Sequence, residues 1–239
     1  IMEDKIQQFK QLVNKCDNIV FFGGAGVSTE SGIPDFRSKN GLYNQQYKYP
    51  PETILSHTFF MNKTEEFFKF YKLKMNSLKY QPNITHIKLS ELEARGKLKA
   101  VITQNIDGLH QKAGSKVVYE LHGSVLRNYC MNCNKFYDAE YVFNSNGIPR
   151  CSCGGIIKPD VVLYEEELDE ETIENSIYAI QKADLLIVAG TSLTVQPASG
   201  LINFFRGRNL VLINRDSTPY YNKANLVIND SLGKVFSNL

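Results

Sequence analysis

Seven short apolar runs, each stopped by small or polar residues, constrain this chain more than any other feature. They are NIVFF (18–22), AVIT (100–103), VVYEL (117–121), DVVLY (160–164), DLLIVA (184–189), LVLI (210–213) and NLVI (225–228). Runs of this length, rich in Val and Ile and uninterrupted by polar residues, fit strands buried on both faces of a parallel sheet. Helical spacing lies between many of them, over 5–15, 86–95, 170–182 and 197–205. This alternation predicts βαβ units, and hence a Rossmann-like, doubly wound α/β sheet.

Two stretches break the rhythm. Residues 39–82 are polar and aromatic, with helical spacing around TEEFFKFYKLKM, and residues 127–158 hold four of the five cysteines. Both read as insertions forming a smaller lobe. The expected division is a discontinuous sheet domain of 1–38, 83–126 and 159–239, with 39–82 as a helical insertion and 127–158 as a cysteine-bearing module. With 239 residues and 43% hydrophobic composition, the chain can bury a sizeable core. Lys plus Arg total 27 and Asp plus Glu total 25, so a net charge of +2 gives no reason to expect nucleic acid or an anionic membrane as partner. The start, IMEDKIQQFK, lacks the layout of a secretory signal, and the best apolar run, 183–190, is one strand long. A soluble, cytoplasmic monomer is expected.

In an open parallel sheet, ligands bind beyond the carboxyl ends of the strands. Here those ends lead into Gly23-Gly24-Ala25-Gly26, Gln104-Asn105-Ile106-Asp107, His122-Gly123, Gly190-Thr191-Ser192 and Asn214-Arg215-Asp216. The glycine loop lets backbone approach a phosphate and is expected to open a helix whose N–H groups face the anion. Alone it is a weak signal that favours dinucleotide binding, with a tight strand-to-helix turn as the alternative. Thr29 occupies the third position of G-x-G-x-x-G, and the usual acidic ribose reader is missing. An ordinary hydride-transferring dehydrogenase is therefore disfavoured.

Cys130-x-x-Cys133 and Cys151-x-Cys153 are separated by 17 residues, with Gly147, Pro149, Gly154 and Gly155 supplying turns. Two such knuckles can close a tetrahedral Zn²⁺ site with no open position, which makes the ion structural. Disulfide or redox chemistry is the minor alternative. A nucleic-acid-binding zinc ribbon is disfavoured because the intervening segment has only two basic residues. Cys16 stands apart in an amphipathic stretch and reads as a small buried apolar residue.

Taken together, GAGVSTESGIPDFR (24–37), TQNIDGLH (103–110), ELHG (120–123), the four cysteines, KPDVVLY (158–164), GTSL (190–193) and INRD (213–216) resemble a bacterial-type sirtuin, in family order and over nearly the whole chain. The resemblance implies a Rossmann-like domain, a zinc-bearing small domain, and a cleft between them for NAD and acyl-lysine. It implies NAD-dependent removal of acetyl or other short acyl groups from protein lysines, with NAD as co-substrate and zinc as a structural ion. Gly24, Ala25, Gly26 and Thr29 would hold the pyrophosphate. Asp35, Phe36 and Arg37 would lie on a loop covering the cofactor. Asn105, Ile106 and Asp107 would form the nicotinamide pocket, Asp107 accepting from the carboxamide. Gln104 would reach the ribose, and Thr191, Ser192, Asn214 and Asp230 would serve the adenosine half. Val161, Val162 and Tyr164 would pair with the substrate backbone as an added strand.

His122 would be the general base, with Asn105 beside it at the reacting centre. In the family's reaction the acyl oxygen attacks the nicotinamide ribose carbon, nicotinamide leaves, and a base then activates the ribose hydroxyls. The products are nicotinamide, O-acyl-ADP-ribose and free lysine. Imidazole titrates near ~6.5, which leaves a neutral fraction available at pH 7. The other histidines, His57, His86 and His110, read as structural. The acidic stretch 165–174 reads as a solvated loop and a favourable first helical turn.

The chain departs from the family pattern in three places. Gly23 stands where many relatives have Thr, and Glu165 replaces a glycine common in the substrate segment. The nearest match to the Tyr-x-x-Arg pair of dicarboxyl-acyl enzymes is Tyr71 with Lys74, and Lys lacks the bidentate fork. Two rival functions remain: an NAD-dependent protein ADP-ribosyltransferase on the same fold, and a non-catalytic NAD- or ADP-ribose-binding module.

Overall fold

The computed structural model describes residues 1–35, 48–218 and 223–239. Its strands are β1 (Ile19–Gly23), β2 (Leu98–Thr103), β3 (Val118–Glu120), β4 (Gly123–Cys130), β5 (Phe136–Tyr137), β6 (Ile157–Val161), β7 (Leu185–Ala189), β8 (Asn209–Ile213) and β9 (Leu226–Ile228). Its α-helices are α1 (Met2–Lys15), α2 (Pro51–Ile54), α3 (His57–Asn62), α4 (Thr64–Lys74), α5 (Ile84–Ala94), α6 (Leu109–Lys112), α7 (Ala139–Phe143), α8 (Glu170–Lys182) and α9 (Leu232–Phe236).

Six strands form one sheet in the order β3-β2-β1-β7-β8-β9, and every pairing is parallel. The chain progresses outward from β1 in one direction and from β7 in the other. The junction between β1 and β7 is therefore the switch point, where a parallel sheet opens a crevice. Alternate residues of β1 divide between two apolar layers. Ile19 and Phe21 join Phe9 and Val13 of α1, Leu89 of α5 and Phe236 of α9 on one face. Val20 and Phe22 join Ile180 of α8 and Leu201 on the other. Each such side chain contributes about 1.5–3 kcal/mol when fully buried.

The helices follow local rules. In α1, Ile6, Phe9 and Val13 share a buried stripe, Glu3 and Asp4 lie in the first turn and Lys15 in the last. At α8 the Asp169 carboxylate accepts the Thr172 N–H at 3.0 Å, an N-cap. The helical spacing over 197–205 instead gives a 3₁₀ helix, Ala198–Phe204. Ser199 and Gly200 within it weaken α-helical propensity.

The smaller lobe combines the antiparallel sheet β5-β4-β6 with α2, α3, α4 and α7 around one cluster. Phe59, Phe60, Phe67, Phe68, Phe70 and Tyr71 from the helical insertion meet Val125, Val142 and Val161 there. Segments distant in sequence thus share a core.

The run over 160–164 is not a strand of the parallel sheet. It ends β6, which pairs antiparallel with β4, and Tyr164 makes only an isolated bridge to Ser56. Burial alternates along it: Val161 and Leu163 are buried, whereas Asp160 and Tyr164 are exposed. Val162 is an apolar residue on the outer, half-buried face, and it disguises this two-residue period as a continuous run.

Candidate active site and metal centre

The carboxyl ends of β1, β2, β3, β7, β8 and β9 share one edge of the sheet. The glycine loop there forms two single 3₁₀ turns, Ala25–Val27 and Thr29–Ser31, rather than an α-helix, and Gly32 closes them at φ 98°. Three of its N–H groups are engaged within the protein: Gly24 to Ala189 O, Gly26 to Gly190 O at 2.8 Å, and Val27 to Gly24 O. The loop needs glycine because two backbones touch. A Cβ on Gly26 would lie 2.7 Å from Gly190 Cα, and one on Gly24 2.9 Å from the Gly190 carbonyl. Gly190 itself is left-handed at φ 65°. Thr29 donates its hydroxyl to Gly26 O at 3.1 Å, which tightens the turn.

Beyond β2, the Gln104–Asp107 loop is anchored at both ends. Gln104 N–H donates to Gly23 O, and Ile106 O accepts from Val125 N–H at 3.0 Å. Asn105 donates Nδ2–H to Gly24 O at 2.9 Å, which fixes the sense of its amide. Asp107 accepts the Leu109 N–H at 2.9 Å on one oxygen and the Ser28 hydroxyl at 2.6 Å on the other. Burial pushes its carboxyl above the ordinary aspartate value, and the bond from Ser28 works against that. Each carboxylate oxygen keeps lone-pair capacity beyond these bonds.

Ser28 is buried between Asp107 and His86. The Nδ1 of His86 accepts the Asn83 N–H at 3.1 Å, so Nε2 carries the proton and faces the Ser28 hydroxyl at 3.4 Å. The donor order therefore runs from His86 through Ser28 to Asp107. Burial depresses the His86 imidazole to about 4 and its ring neighbour His110 to about 3. The two rings meet edge to face at 4.8 Å. His86 thus lies at a helix start, as its sequence position predicts, but it also touches the site's polar network. Ser28 has no motif value alone. The signal that could single it out is its position five residues past β1, opposite the Asp of the β2 loop.

His122 follows β3. Its Nδ1 lies 2.9 Å from the Gln104 carbonyl, which can only accept. The proton therefore sits on Nδ1, leaving Nε2 as the basic atom. Burial lowers its pKa below the usual value, opposed by the bond to Gln104.

The remaining predicted residues are placed as follows. Thr191 donates its hydroxyl to Gln104 Oε1 at 2.8 Å and its N–H to Asn214 Oδ1 at 2.9 Å, joining the ends of β2, β7 and β8. Asn214 Nδ2 is buried without a protein partner among the described residues. Ser192 pairs with Thr194 at 2.8 Å. Asp230 follows β9, accepts the Ser231 N–H and pairs with Lys234 at 3.0 Å. Asp35 is half-buried, whereas Phe36 and Arg37 lie outside the described residues. In the substrate segment, Val162 N–H donates to the His122 carbonyl at 2.9 Å, Tyr164 N–H to Leu55 O, and His57 N–H to Tyr164 O. Glu165 adopts φ 77°, the left-handed region that suits the glycine it replaces. Tyr71 is stacked against Phe67 and Phe143 inside the small lobe, its hydroxyl buried without a partner among the described residues.

In the small lobe the four sulfurs of Cys130, Cys133, Cys151 and Cys153 lie within 4.8 Å of one another, the closest pairs at 3.5 Å. Disulfide bonding needs about 2.0 Å, whereas a tetrahedron of ~2.3 Å Zn–S bonds spaces its sulfurs by about 3.8 Å. The surroundings favour thiolates. Asn132 and Cys133 N–H groups face Cys130 Sγ, and the Tyr137 hydroxyl donates to Cys151 Sγ at 3.1 Å. The Cys153 backbone and the Tyr137 hydroxyl draw the Cys151 thiol down, whereas the neighbouring sulfurs push Cys133 up, as expected of sulfurs sharing charge with no cation between them. A Cβ on Gly155 would lie 2.6 Å from Cys130 Sγ, so glycine is required beside the cluster. These four residues fit a structural zinc ion.

The architecture and the cysteine site define a nucleotide-binding α/β protein with a zinc-bearing second lobe. The Sir2 family model matches residues 24–197. An NAD-dependent protein deacetylase of Clostridium perfringens is 61% identical over 238 residues, covering 98% of both chains. That of Clostridium acetobutylicum is 61% identical over 239 residues, again covering 98% of each. Among solved structures, a Sir2 with deacetylated p53 peptide and 3′-O-acetyl ADP ribose superposes with a TM-score of 0.89 at 38% identity, covering 97% of this chain and 96% of that one. A Sir2 with p53 peptide and NAD+ gives 0.86 at 38% identity, covering 98% of this chain and 96% of that one. The chain belongs to the Sir2 family, the sirtuins.

Proposed function

We propose that this protein is an NAD-dependent protein-lysine deacetylase, releasing nicotinamide, O-acetyl-ADP-ribose and free lysine. The observation that carries the reading is His122: its Nδ1 is committed to the Gln104 carbonyl, so Nε2 stands as a general base at the carboxyl edge of the sheet, beside the β2 loop. The family match and the 61% identity to deacetylases support it. As substrate, NAD supplies the ribose carbon that takes the acyl oxygen as nicotinamide leaves. Asp107, oriented by Ser28 and Leu109, accepts from the carboxamide of the leaving group. Asn105, its amide sense fixed by Gly24, borders the same pocket. His122 Nε2 removes the ribose hydroxyl proton that the second stage requires. Gly24, Ala25, Gly26 and Thr29 are assigned to the pyrophosphate side, and Gln104, Thr191, Ser192, Asn214 and Asp230 to the ribose and adenosine side. Val161, Val162 and Tyr164 are assigned to the peptide backbone. The mutual bonds of Gln104, Thr191 and Asn214 support treating that side as one unit.

Because burial lowers the His122 pKa, kcat/KM declines on acidification through a midpoint below the ordinary imidazole value. A cytoplasmic setting and a monomer acting on proteins belong to the same reading, and the four clustered thiols support its reducing compartment. The test is mass spectrometry of an acetyl-lysine peptide incubated with the protein, with and without NAD. NAD-dependent deacetylation with O-acetyl-ADP-ribose is the expected result. ADP-ribose transferred to protein with acetyl retained would replace this reading with the transferase. Untouched NAD with several acyl peptides would reduce the protein to a binding module.

A further inference from the structure

We propose that Arg127 is a positioning residue for His122. The inference rests on the deacetylase reading only for its kinetic consequences, and its geometry stands alone. Arg127 donates Nη1–H to Glu120 at 2.7 Å and Nε–H to Asp160 at 2.9 Å. Glu120 ends β3, two residues before His122. Asp160 lies in β6, two residues before Val162, whose N–H bonds the His122 carbonyl. The two short segments 120–122 and 160–162 thus meet at His122 at one end and at Arg127 at the other. A closed ring results, with the base on one side and the guanidinium on the opposite side.

The backbone is built to present Arg127 this way. In β4, Ser124 pairs with Asp160 and Asn128 with Pro159, so residues 125–127 bulge out opposite a single step of β6. Bulges re-aim side chains. This one is closed by Asn128 Nδ2–H to Val125 O at 3.2 Å and by Leu126 N–H to Ser124 Oγ at 3.1 Å. It turns Val125 N–H onto Ile106 O of the nicotinamide-side loop and Arg127 onto the two carboxylates. At Gly123, with φ 77°, a Cβ would run into the Asp160 carbonyl, so the ring closes tightly beside His122. Glu120 is largely shielded, its side chain only 9% exposed, and the planar guanidinium reaches two carboxylates in different directions as an ammonium does not.

The test compares Arg127→Ala, Arg127→Lys and Glu120→Gln with the wild type in the zinc-loaded full chain. The variants are assayed for deacetylation and for nicotinamide exchange, which precedes the step needing the base. The expected result is a deacetylation kcat about tenfold lower for Arg127→Ala, with the exchange rate and the KM for NAD within about twofold. Arg127→Lys recovers part of the loss, and Glu120→Gln falls in the same direction. A readout independent of turnover is nitrogen NMR of the His122 ring, assigned with His122→Ala. Wild type shows the Nδ1–H tautomer alone, and Arg127→Ala shows a mixture. An unchanged tautomer, or exchange and deacetylation falling together with a lower melting temperature, overturns the proposal. A wild-type protein inactive on every acetyl peptide would instead sink the deacetylase reading, and the NMR comparison would still decide the role of Arg127.

Discussion

In the large lobe, two apolar layers sandwich a parallel sheet, one layer built on Phe9, Phe21 and Phe236 and the other on Phe22, Ile180 and Leu186. In the small lobe, an aromatic cluster around Phe60, Phe67 and Tyr71 adjoins a three-stranded sheet with four clustered cysteines at its far end. The first lobe buries central strands on both faces and can hold its loops rigid from behind. In the second, Cys133 and Cys153 are exposed, and a metal bound by the four sulfurs would hold its knuckles together. Polar chemistry is distributed accordingly. The groups assigned to NAD sit on the rigid edge, and the segment assigned to the peptide, 161–164, crosses between the lobes.

The largest effect that tests this contrast is metal removal. Structural zinc in small modules contributes apparent binding free energies of about 10–16 kcal/mol. Chelation, or Cys151→Ser, is expected to abolish amide-exchange protection in β4, β5 and β6 while β1, β2 and β7 stay protected. Uniform loss across both lobes would show that they do not differ in this way.

Acid is expected to strike the other lobe. His86 and His110 are buried neutral, with folded pKa values of about 4 and about 3. The unfolded chain protonates both near ~6.5, so it binds more protons than the folded chain as pH falls. Their contribution is fully present above about pH 6.5 and is lost below it, by roughly 3–4 kcal/mol in total between pH 7 and 5. Denaturant titration of the zinc-loaded protein measures the loss, and His110→Phe should flatten the slope. A slope unaltered by that substitution would remove the histidine pair from the account.

A smaller effect is expected at the touching glycine backbones. Gly26→Ala places a methyl 2.7 Å from Gly190 Cα, and overpacking of this kind costs about 1–3 kcal/mol. The KM for NAD should rise several-fold with zinc content unchanged. Equal damage to the zinc site would deny the independence of the lobes.

The contrast also explains what could be read from the chain alone. Buried parallel strands carry continuous apolar runs, so six of the seven runs identify strands of the large sheet. The seventh, 160–164, misleads because half-buried Val162, just past the end of antiparallel β6, hides the alternation. His122, Asn105 and the four cysteines are visible because their chemistry and spacing are unusual. The 3₁₀ form of the glycine loop is not, since a glycine-rich strand end is equally compatible with an α-helix. Arg127 and His86 are invisible, and Ser28 nearly so, for a different reason. Their partners, Glu120 and Asp160 in one case and Asp107 in the other, are brought close by a bulge and by strand register, which no local pattern encodes.

The account rests most directly on His122 as the base. The measurement is product analysis of His122→Ala beside wild type, with acetyl-lysine peptide and NAD at pH 7.5. Loss of a positioned general base costs about 10²–10⁴-fold. O-acetyl-ADP-ribose formation should fall by at least about a hundredfold, with zinc content and melting temperature retained. Formation within tenfold of wild type, in a folded and zinc-loaded variant, would contradict it.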